Sequence, residues 1–166
     1  NGIIGLPGNL LKIGSDIDGE AADDYSGTSV GLSSDGSVVA IGAIYNDGNG
    51  DLSGHVRIYK NINNTWTKIG SDIDGEATGD ESGKSVSISS DGSIVAIGAP
   101  DNDGNGTNSG HVRVYQNVNN IWTQVGSDID GEGENDKSGY SVSLSSDGSV
   151  VAIGAPHNAG NGSYSG

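Results

Sequence analysis

Acidic side chains recur in three sets of four, and their spacing suits the binding of a cation. Within each set the acids occupy positions 1, 3, 5 and 9 of one segment. Calcium binds about six to eight oxygen atoms, and alternating carboxylates on a tightly turning backbone can converge on one ion. The sequence therefore predicts calcium as a cofactor, bound by these sets: Asp16, Asp18, Glu20 and Asp24; Asp72, Asp74, Glu76 and Asp80; Asp128, Asp130, Glu132 and Asp136.

The fourth acid of each set also has a structural interpretation. Asp80 lies just before a Ser-Gly pair, where its carboxylate can accept backbone hydrogen bonds. The other acids of the set would then be solvated. The spacing alone leaves both interpretations open, because a motif match needs its structural context.

A second segment, residues 101–106 with the sequence DNDGNG, opens like a calcium loop. Its twelfth position is Val112, so the bidentate Glu of an EF-hand is missing. Asn and Gly tolerate left-handed backbone conformations, which favours a flexible connection between strands. The segment nevertheless differs between copies, and loops on rigid scaffolds carry binding residues. We therefore predict ligand-binding loops that include Tyr45, Asp47, Asp101, Asp103 and His157.

The sequence does not favour an enzyme. Residues 27–31, GTSVG, match the G-x-S-x-G pattern, but the equivalent segments of the other copies end in Ser and no helix is expected to follow. The three histidines show no metal-binding spacing. Nearly every acid is repeated in each copy, whereas a catalytic site needs one asymmetric group of residues. We expect the chain to have no catalytic activity.

A tandem repeat of 56 residues positions these side chains. The string GSDIDGE begins at Gly14, Gly70 and Gly126, and the strings SSDGS and AIGA recur with the same step. Each copy closes on a Ser-Gly pair, which divides the chain into 1–54, with a divergent start, 55–110 and 111–166. Self-similarity at such a period is typical of repeat architectures.

Composition narrows the class of protein. The chain has 30 glycines and 32% hydrophobic residues, which indicates many turns and short apolar strands. A net charge of −15 argues against nucleic acid and anionic membranes as partners, since both need a basic surface. Without cysteine the chain has no disulfides, and it lacks the run of about 18 apolar residues that a membrane-spanning helix requires.

The second copy shows the strand pattern most clearly. Residues 85–89 alternate between polar and apolar, Asp91-Gly92 favours a two-residue turn, and residues 94–97 are continuously apolar. Residues 111–115 alternate again, and an Asn-Asn turn precedes residues 121–125. Four strands joined by hairpins form an antiparallel meander. Repeated units of this kind predict an all-β fold made of β-propeller blades.

The segment SGKSVSISSDGSIVAIGAP at residues 82–100, followed by GHVRVY at residues 110–115, resembles the FG-GAP repeats of integrin-α-type propellers. AIGAP, at Ala96 and Ala152, matches the second half of the motif, whereas Ser82 and Ser138 stand where the family has Phe. The resemblance implies a propeller that serves adhesion or ligand recognition at cell surfaces, often with calcium. The acidic sets resemble the calcium loop of these blades, but that loop lies between the first two strands, where this chain has SSDGS.

Three repeats are too few to close a propeller, which needs about four to eight blades. Two complete blades are expected at about residues 26–76 and 82–132, with a half blade at 138–156 and a matching outer strand at 10–17. Two or three chains could complete the ring as a homo-oligomer. Alternatively, further repeats of a longer protein complete it, which is the arrangement we favour.

Two functions are consistent with these features. The first is an extracellular or cell-surface adhesion module that binds a protein or glycan. The second is a structural spacer or assembly repeat of a large surface protein, and a propeller hydrolase is a weaker third possibility. Trp66 and Trp122 are expected to pack between blades, since Leu10 holds their position in the first copy.

Overall fold

The computed structural model describes residues 3–5 and 11–166. The regular secondary structure of these residues consists of β-strands. The strands are β1 (Ile3–Gly5), β2 (Leu11–Ile13), β3 (Ser26–Leu32), β4 (Val38–Ala43), β5 (His55–Ile62), β6 (Thr65–Lys68), β7 (Ile73–Asp74), β8 (Ser85–Ile88), β9 (Ile94–Ala99), β10 (His111–Val118), β11 (Ile121–Gln124), β12 (Ile129–Asp130), β13 (Ser141–Leu144) and β14 (Val151–Gly154). The described residues contain no helix with the length and apolar character to cross a membrane.

Two four-stranded antiparallel meanders form the body of the fold. The first sheet has the order β3-β4-β5-β6, and the second has the order β8-β9-β10-β11. A third sheet consists of β13 and β14, and β1 pairs with β2. The all-β prediction is confirmed, and the predicted strands of the second copy correspond to β8 to β11. Of the predicted outer strand at residues 10–17, β2 is observed, while Leu10 lies outside the described residues.

The outer edge of each complete sheet is built from two short strands. The second half of β5 pairs with β6, while its first half pairs with β7, so that His55 lies opposite Asp74. The second sheet repeats this arrangement, with His111 opposite Asp130 of β12. The acidic segments therefore run along the outer edge of a sheet before they cross to the next one.

The main hydrophobic core lies between the first and second sheets. Val38, Ala40 and Ile58 of the first sheet cluster with Val95 and Ile97 of the second, and all five are buried. The continuous apolar runs of β4 and β9 are explained by this packing, because both strands lie inside the stack of sheets.

Neighbouring sheets approach each other closely at glycine. A Cβ atom on Gly98 of β9 would lie 2.0 Å from the carbonyl oxygen of Gly139, which precedes the third sheet. The Ser85 hydroxyl donates a hydrogen bond of 2.7 Å to that same carbonyl oxygen. Gly42 and Ser29 make the equivalent contacts with Gly83. No side chain larger than hydrogen fits at Gly42 of β4 or at Gly98 of β9.

The SSDGS segments form turns that are longer than predicted. In the second sheet the Ser89 N–H donates to the Ile94 carbonyl oxygen at 2.9 Å, which leaves residues 90–93 as a four-residue loop. The Ser90 N–H donates to the Ser146 carbonyl oxygen of the next turn at 2.8 Å. The loop thus supplies a hydrogen bond between sheets that a two-residue turn would lack.

Each SSDGS turn holds its aspartate in the ionised form. Hydrogen bonds from the Ser145 hydroxyl, and then from the N–H and hydroxyl of Ser149, lower the pKa of Asp147 from 3.8 to about 2. The pKa of Asp91 is lowered by the Ser89 hydroxyl first and by Ser93 next. These hydrogen bonds favour the carboxylate over the carboxylic acid.

The substitution Gly98→Ala is expected to lower the free energy of unfolding by about 1–3 kcal/mol, because the added methyl group forces the second and third sheets apart. Gly133→Ala is the matched control, since the nearest atoms to its Cβ would be those of the Asp136 carboxylate, at 3.7 Å or more, and the other copies carry Ala21 and Ala77 there. Urea unfolding followed by circular dichroism measures both variants. Equal stability of the two variants would contradict the close-contact interpretation.

Replacing Asp91 and Asp147 by Asn is expected to flatten the loss of stability in acid. The folded-state pKa of both carboxylates lies below the ordinary 3.8, so they stabilise the fold above about pH 3.8 and lose this effect as the pH falls through the folded-state pKa, which is about 2 for Asp147. Melting temperatures between pH 5 and pH 2 test this, with Asp51→Asn on an exposed loop as the control. If the melting temperature of the double variant falls between pH 5 and pH 2 as steeply as that of the unchanged chain, the two aspartates do not contribute to the acid sensitivity of the fold.

Candidate functional site

The acidic segments connect one sheet to the next, and their members have different environments. Asp72 accepts a hydrogen bond of 2.8 Å from the Lys68 ammonium, and Asp128 accepts one of 2.6 Å from the Gln124 amide. Asp16 forms an ion pair of 2.8 Å with Lys12. The first acid of every set is therefore engaged by the residue four positions before it.

The last acid of each set is buried and structural in its contacts. Asp80 Oδ2 accepts hydrogen bonds from the Ala77 N–H and the Asn102 amide, both at 3.0 Å. Asp24 and Asp136 accept the equivalent pairs of bonds from their own copies. These contacts agree with the alternative interpretation for the fourth acid, since each carboxylate closes its own turn and fixes the Asn of the following loop.

A buried arginine joins each of the first two acidic segments to the sheet beside it. Arg113 Nη2 donates a hydrogen bond of 2.9 Å to the Asp74 carbonyl oxygen, and Arg113 Nη1 lies 3.3 Å from Glu76 Oε1. The same guanidinium lies over the ring of Tyr115, 5.7 Å from the ring centroid. Arg57 makes the corresponding contacts with Asp18, Glu20 and Tyr59.

Two compact groups of possible metal ligands occur in the described residues. One contains Glu76, His111 and Asp128, and the other contains Glu20, His55 and Asp72. Within each group the ligand atoms all lie within 4.8 Å of one another. Each group combines the Glu of one acidic set with the first Asp of the next set, so neither corresponds to a set predicted from the sequence.

The histidine of each group is buried. His55 and His111 are each 1% exposed, and burial is the main cause that lowers the pKa of both imidazoles below 6.5. Sequence reasoning gave these histidines no role, because no second histidine or cysteine lies near them in the chain. Their repeated position at the start of β5 and β10, after an acidic segment, was the available signal.

The predicted calcium sets are thus spread over several environments. The second acids, Asp18 and Asp74, are exposed and receive arginine bonds on their backbone oxygens. Of the third acids, Glu20 and Glu76 contact arginine and histidine, and the fourth acids are all buried. Calcium binding by these twelve residues stays a prediction.

The predicted ligand-binding loops bring together side chains that differ between copies. Tyr45 packs edge-on against Tyr25 with ring centroids 4.9 Å apart, and His157 packs in the same way against Tyr164 at 5.0 Å. Asp101 forms an ion pair with Lys137 of the following copy. In contrast, Asp47 and Asp103 serve the loops themselves, because each accepts a backbone hydrogen bond from a residue five positions later.

Trp122 is a packing residue, as the sequence predicted. Its indole N–H donates a hydrogen bond of 2.9 Å to the Ile69 carbonyl oxygen. Its ring covers Gly70, where an added Cβ atom would lie 2.7 Å from the indole. Trp66 contacts Ile13 and Gly14 in the same way. A groove of about 440 Å³ beside Trp122 is lined by Asp72, Asp74 and Tyr115, among others.

Asp80→Ala is expected to lower the free energy of unfolding by about 1–3 kcal/mol, because it leaves the buried Asn102 amide and the Ala77 N–H without an acceptor. The loss is expected to be the same in calcium and in a calcium chelator, which thermal or urea unfolding can measure. Asp74→Ala, which removes an exposed carboxylate, is the control. A loss that appears only when calcium is present would assign Asp80 to a calcium site instead.

Comparison with known protein families gives a match in the middle of the chain. The family model of the FG-GAP repeat matches residues 72–115, which run from the acidic segment through β10 as far as Tyr115. No curated protein matches the chain. Within this all-β chain, residues 72–115 therefore constitute an FG-GAP repeat, as the resemblance of the sequence indicated.

Proposed function

We propose that the chain is an extracellular, non-enzymatic binding module that presents a surface of copy-specific side chains to a protein or glycan. The name "variable surface" is used here for the residues at three repeat positions: Tyr25, Glu81 and Lys137; Tyr45, Asp101 and His157; and Leu52, Asn108 and Tyr164. Segments such as SSDGS, AIGA and the Ser-Gly pairs are the same in every copy, whereas these three positions differ.

The observation that carries this proposal is the backbone conformation of the variable surface. Tyr25, Glu81 and Lys137 have φ values of 55°, 52° and 58°, in the left-handed region that glycine and asparagine occupy most readily. Leu52 and Tyr164 have φ values of 53° and 57°. Bulky residues at strained positions are more typical of functional surfaces than of connecting loops.

The side chains of the variable surface are suited to recognition. Tyr25 is 61% exposed and Tyr164 is 74% exposed. Tyrosine offers a large contact area with few rotatable bonds together with a polar hydroxyl, so it is enriched in binding surfaces. Tyr45 and His157 pack edge-on against these rings. The surface therefore combines paired aromatic rings with the charged residues Glu81, Asp101 and Lys137.

Calcium and ring closure are further parts of the proposal. Exposed acids line the segments between sheets, and the chain carries a charge of −15, so bound cations would relieve repulsion. On the outer face of the first sheet, Val30 is 66% exposed and Leu32 is 50% exposed. Their equivalents Val86 and Ile88 pack against the core, which supports a further blade or a second chain in contact with this face.

The structural-spacer function is the second candidate, and the edge of β14 favours it. In the described residues β14 pairs only with β13. A groove of about 330 Å³ beside it is lined by Ile129, Gly131, Ile153 and Ala155, among others. Ala155 is the repeat equivalent of Ala99, which pairs with His111. An added strand here would extend the assembly without use of the variable surface.

The double substitution Tyr25→Gly and Tyr164→Gly separates the two functions. We expect the free energy of unfolding to change by less than about 1 kcal/mol, because relief of left-handed strain offsets the lost ring contacts. Binding of the intact chain to a glycan array or to immobilised extracellular-matrix proteins is expected to fall at least about tenfold.

The matched control is Asn135→Gly, which also lies at a positive φ of 63° but removes no aromatic ring. This variant is expected to bind as the unchanged chain does. The binding module is rejected, and the spacer function supported, if the unchanged chain binds neither the glycan array nor the matrix proteins. The same holds if the double tyrosine variant binds as well as the unchanged chain.

A further inference from the structure

We propose that Glu76, His111 and Asp128 bind a divalent transition-metal ion of the zinc type, and that Glu20, His55 and Asp72 form an equivalent second site. Each site combines acids from two different predicted calcium sets with a histidine, and a different ion suits this combination. They do not depend on the proposed binding function.

His111 supplies the observation that goes beyond a cluster of acids. The side chain is 1% exposed, and its Nδ1 atom has no hydrogen-bond partner. That nitrogen faces both acids of the group, at 3.8 Å from Glu76 Oε2 and 3.9 Å from Asp128 Oδ2. A buried nitrogen without a partner is unfavourable, and a metal ion between it and the two carboxylates would satisfy it.

The distances require only small movements to form a metal site. Zinc binds imidazole nitrogen at about 2.0–2.1 Å and carboxylate oxygen at about 2.0–2.2 Å, so ligands around a tetrahedral ion lie roughly 3.3–3.5 Å apart. The present separations are slightly longer than that. The Glu76 side chain is 45% exposed and that of Asp128 is 29% exposed, so both can move toward the fixed imidazole.

The ligand set selects the class of ion. One imidazole nitrogen and two carboxylate oxygens suit zinc and similar transition metals. Calcium instead prefers about six or more oxygen ligands. Three protein ligands leave the fourth position of a tetrahedral ion open to water or to a group from outside.

The neighbouring arginine is compatible with a bound cation. Arg113 contacts Glu76 through the other carboxylate oxygen, Oε1, and donates a second bond to the Asp74 backbone. Glu76 Oε2 therefore remains available to the ion. The guanidinium also orients Glu76, in the way that outer contacts usually position metal ligands.

A related group, built on His55, occurs in the described residues, but there the nitrogen without a partner is not the one that faces the Glu. His55 is 1% exposed, its Nδ1 lies 4.0 Å from Glu20 Oε2, and its Nε2 has no hydrogen-bond partner. In each site the His begins a strand, one acid comes from the segment that enters the sheet, and the other lies at the break in its outer edge. A bound ion would therefore join the entering segment to the sheet.

Zinc titration of the metal-free chain by calorimetry tests the proposal. We expect two zinc ions per chain, one after the substitution His111→Gln, and none in the double variant His55→Gln and His111→Gln. Since loss of a group that merely supports a ligand weakens metal binding about 10–100-fold, loss of a ligand should weaken it by at least about 100-fold. His157→Gln, at an exposed loop position, is the control and should retain both ions.

Two further measurements identify the ligands independently. The variants Glu76→Gln and Asp128→Asn change side chains that are less buried than His111, and each should lose one zinc ion, which keeps the test valid if a histidine variant fails to fold. Cobalt(II) bound in place of zinc should show the visible absorption of a tetrahedral site, and this absorption should weaken in the His111→Gln variant.

Three results would overturn the proposal. The first is no zinc binding by the folded, unchanged chain, and the second is unchanged zinc stoichiometry in the double histidine variant. The third is binding of calcium alone, with retention in the histidine variants, which would return the metal to the acidic sets. Because the tyrosine residues of the variable surface are not ligands, failure of this test leaves the binding-module experiment unaffected.

Discussion

Neighbouring sheets in this protein touch through backbone atoms, and that contact sets the geometry of the rest. Gly98 leaves room for the Gly139 carbonyl oxygen, and the Ser85 hydroxyl hydrogen-bonds to the same atom. A hydrogen bond to a carbonyl oxygen is directional, so the contact fixes both the separation and the register of adjacent sheets. The apolar faces of β4 and β9 can then pack in the same way from one sheet to the next.

The polar segments between sheets follow from this close stacking. They cross from one outer edge toward the next sheet, where many of their backbone groups are removed from water and need partners. Buried Asp80 and Arg113 supply such partners for Ala77 and Asp74. The repeated acids thus act first as structural residues. His111 is not satisfied in this way, because its buried Nδ1 has no hydrogen-bond partner and faces two carboxylates.

The same scaffold allows side chains to vary where they do not support the stack. Tyr25 and Tyr164 lie on exposed turns, and both side chains are largely in solvent, so these side chains can change with little effect on the fold. The strain of a positive φ is carried by the packed sheets around them. A constant interior and a variable surface are expected of a scaffold whose repeats share one fold but display different side chains.

Much of the fold could be predicted from the sequence alone because alternation, turn residues and repeat period are local properties. The strands β8 to β11 were predictable from residues 85–125, and the packing role of Trp122 from its repeat position. The partners of the acids were not predictable, because they lie far along the chain: Asp80 bonds to Asn102, and Glu76 meets His111. Spacing could place four acids in one segment, but only the stacking of the sheets decided which carboxylate is buried in a turn and which faces a buried imidazole.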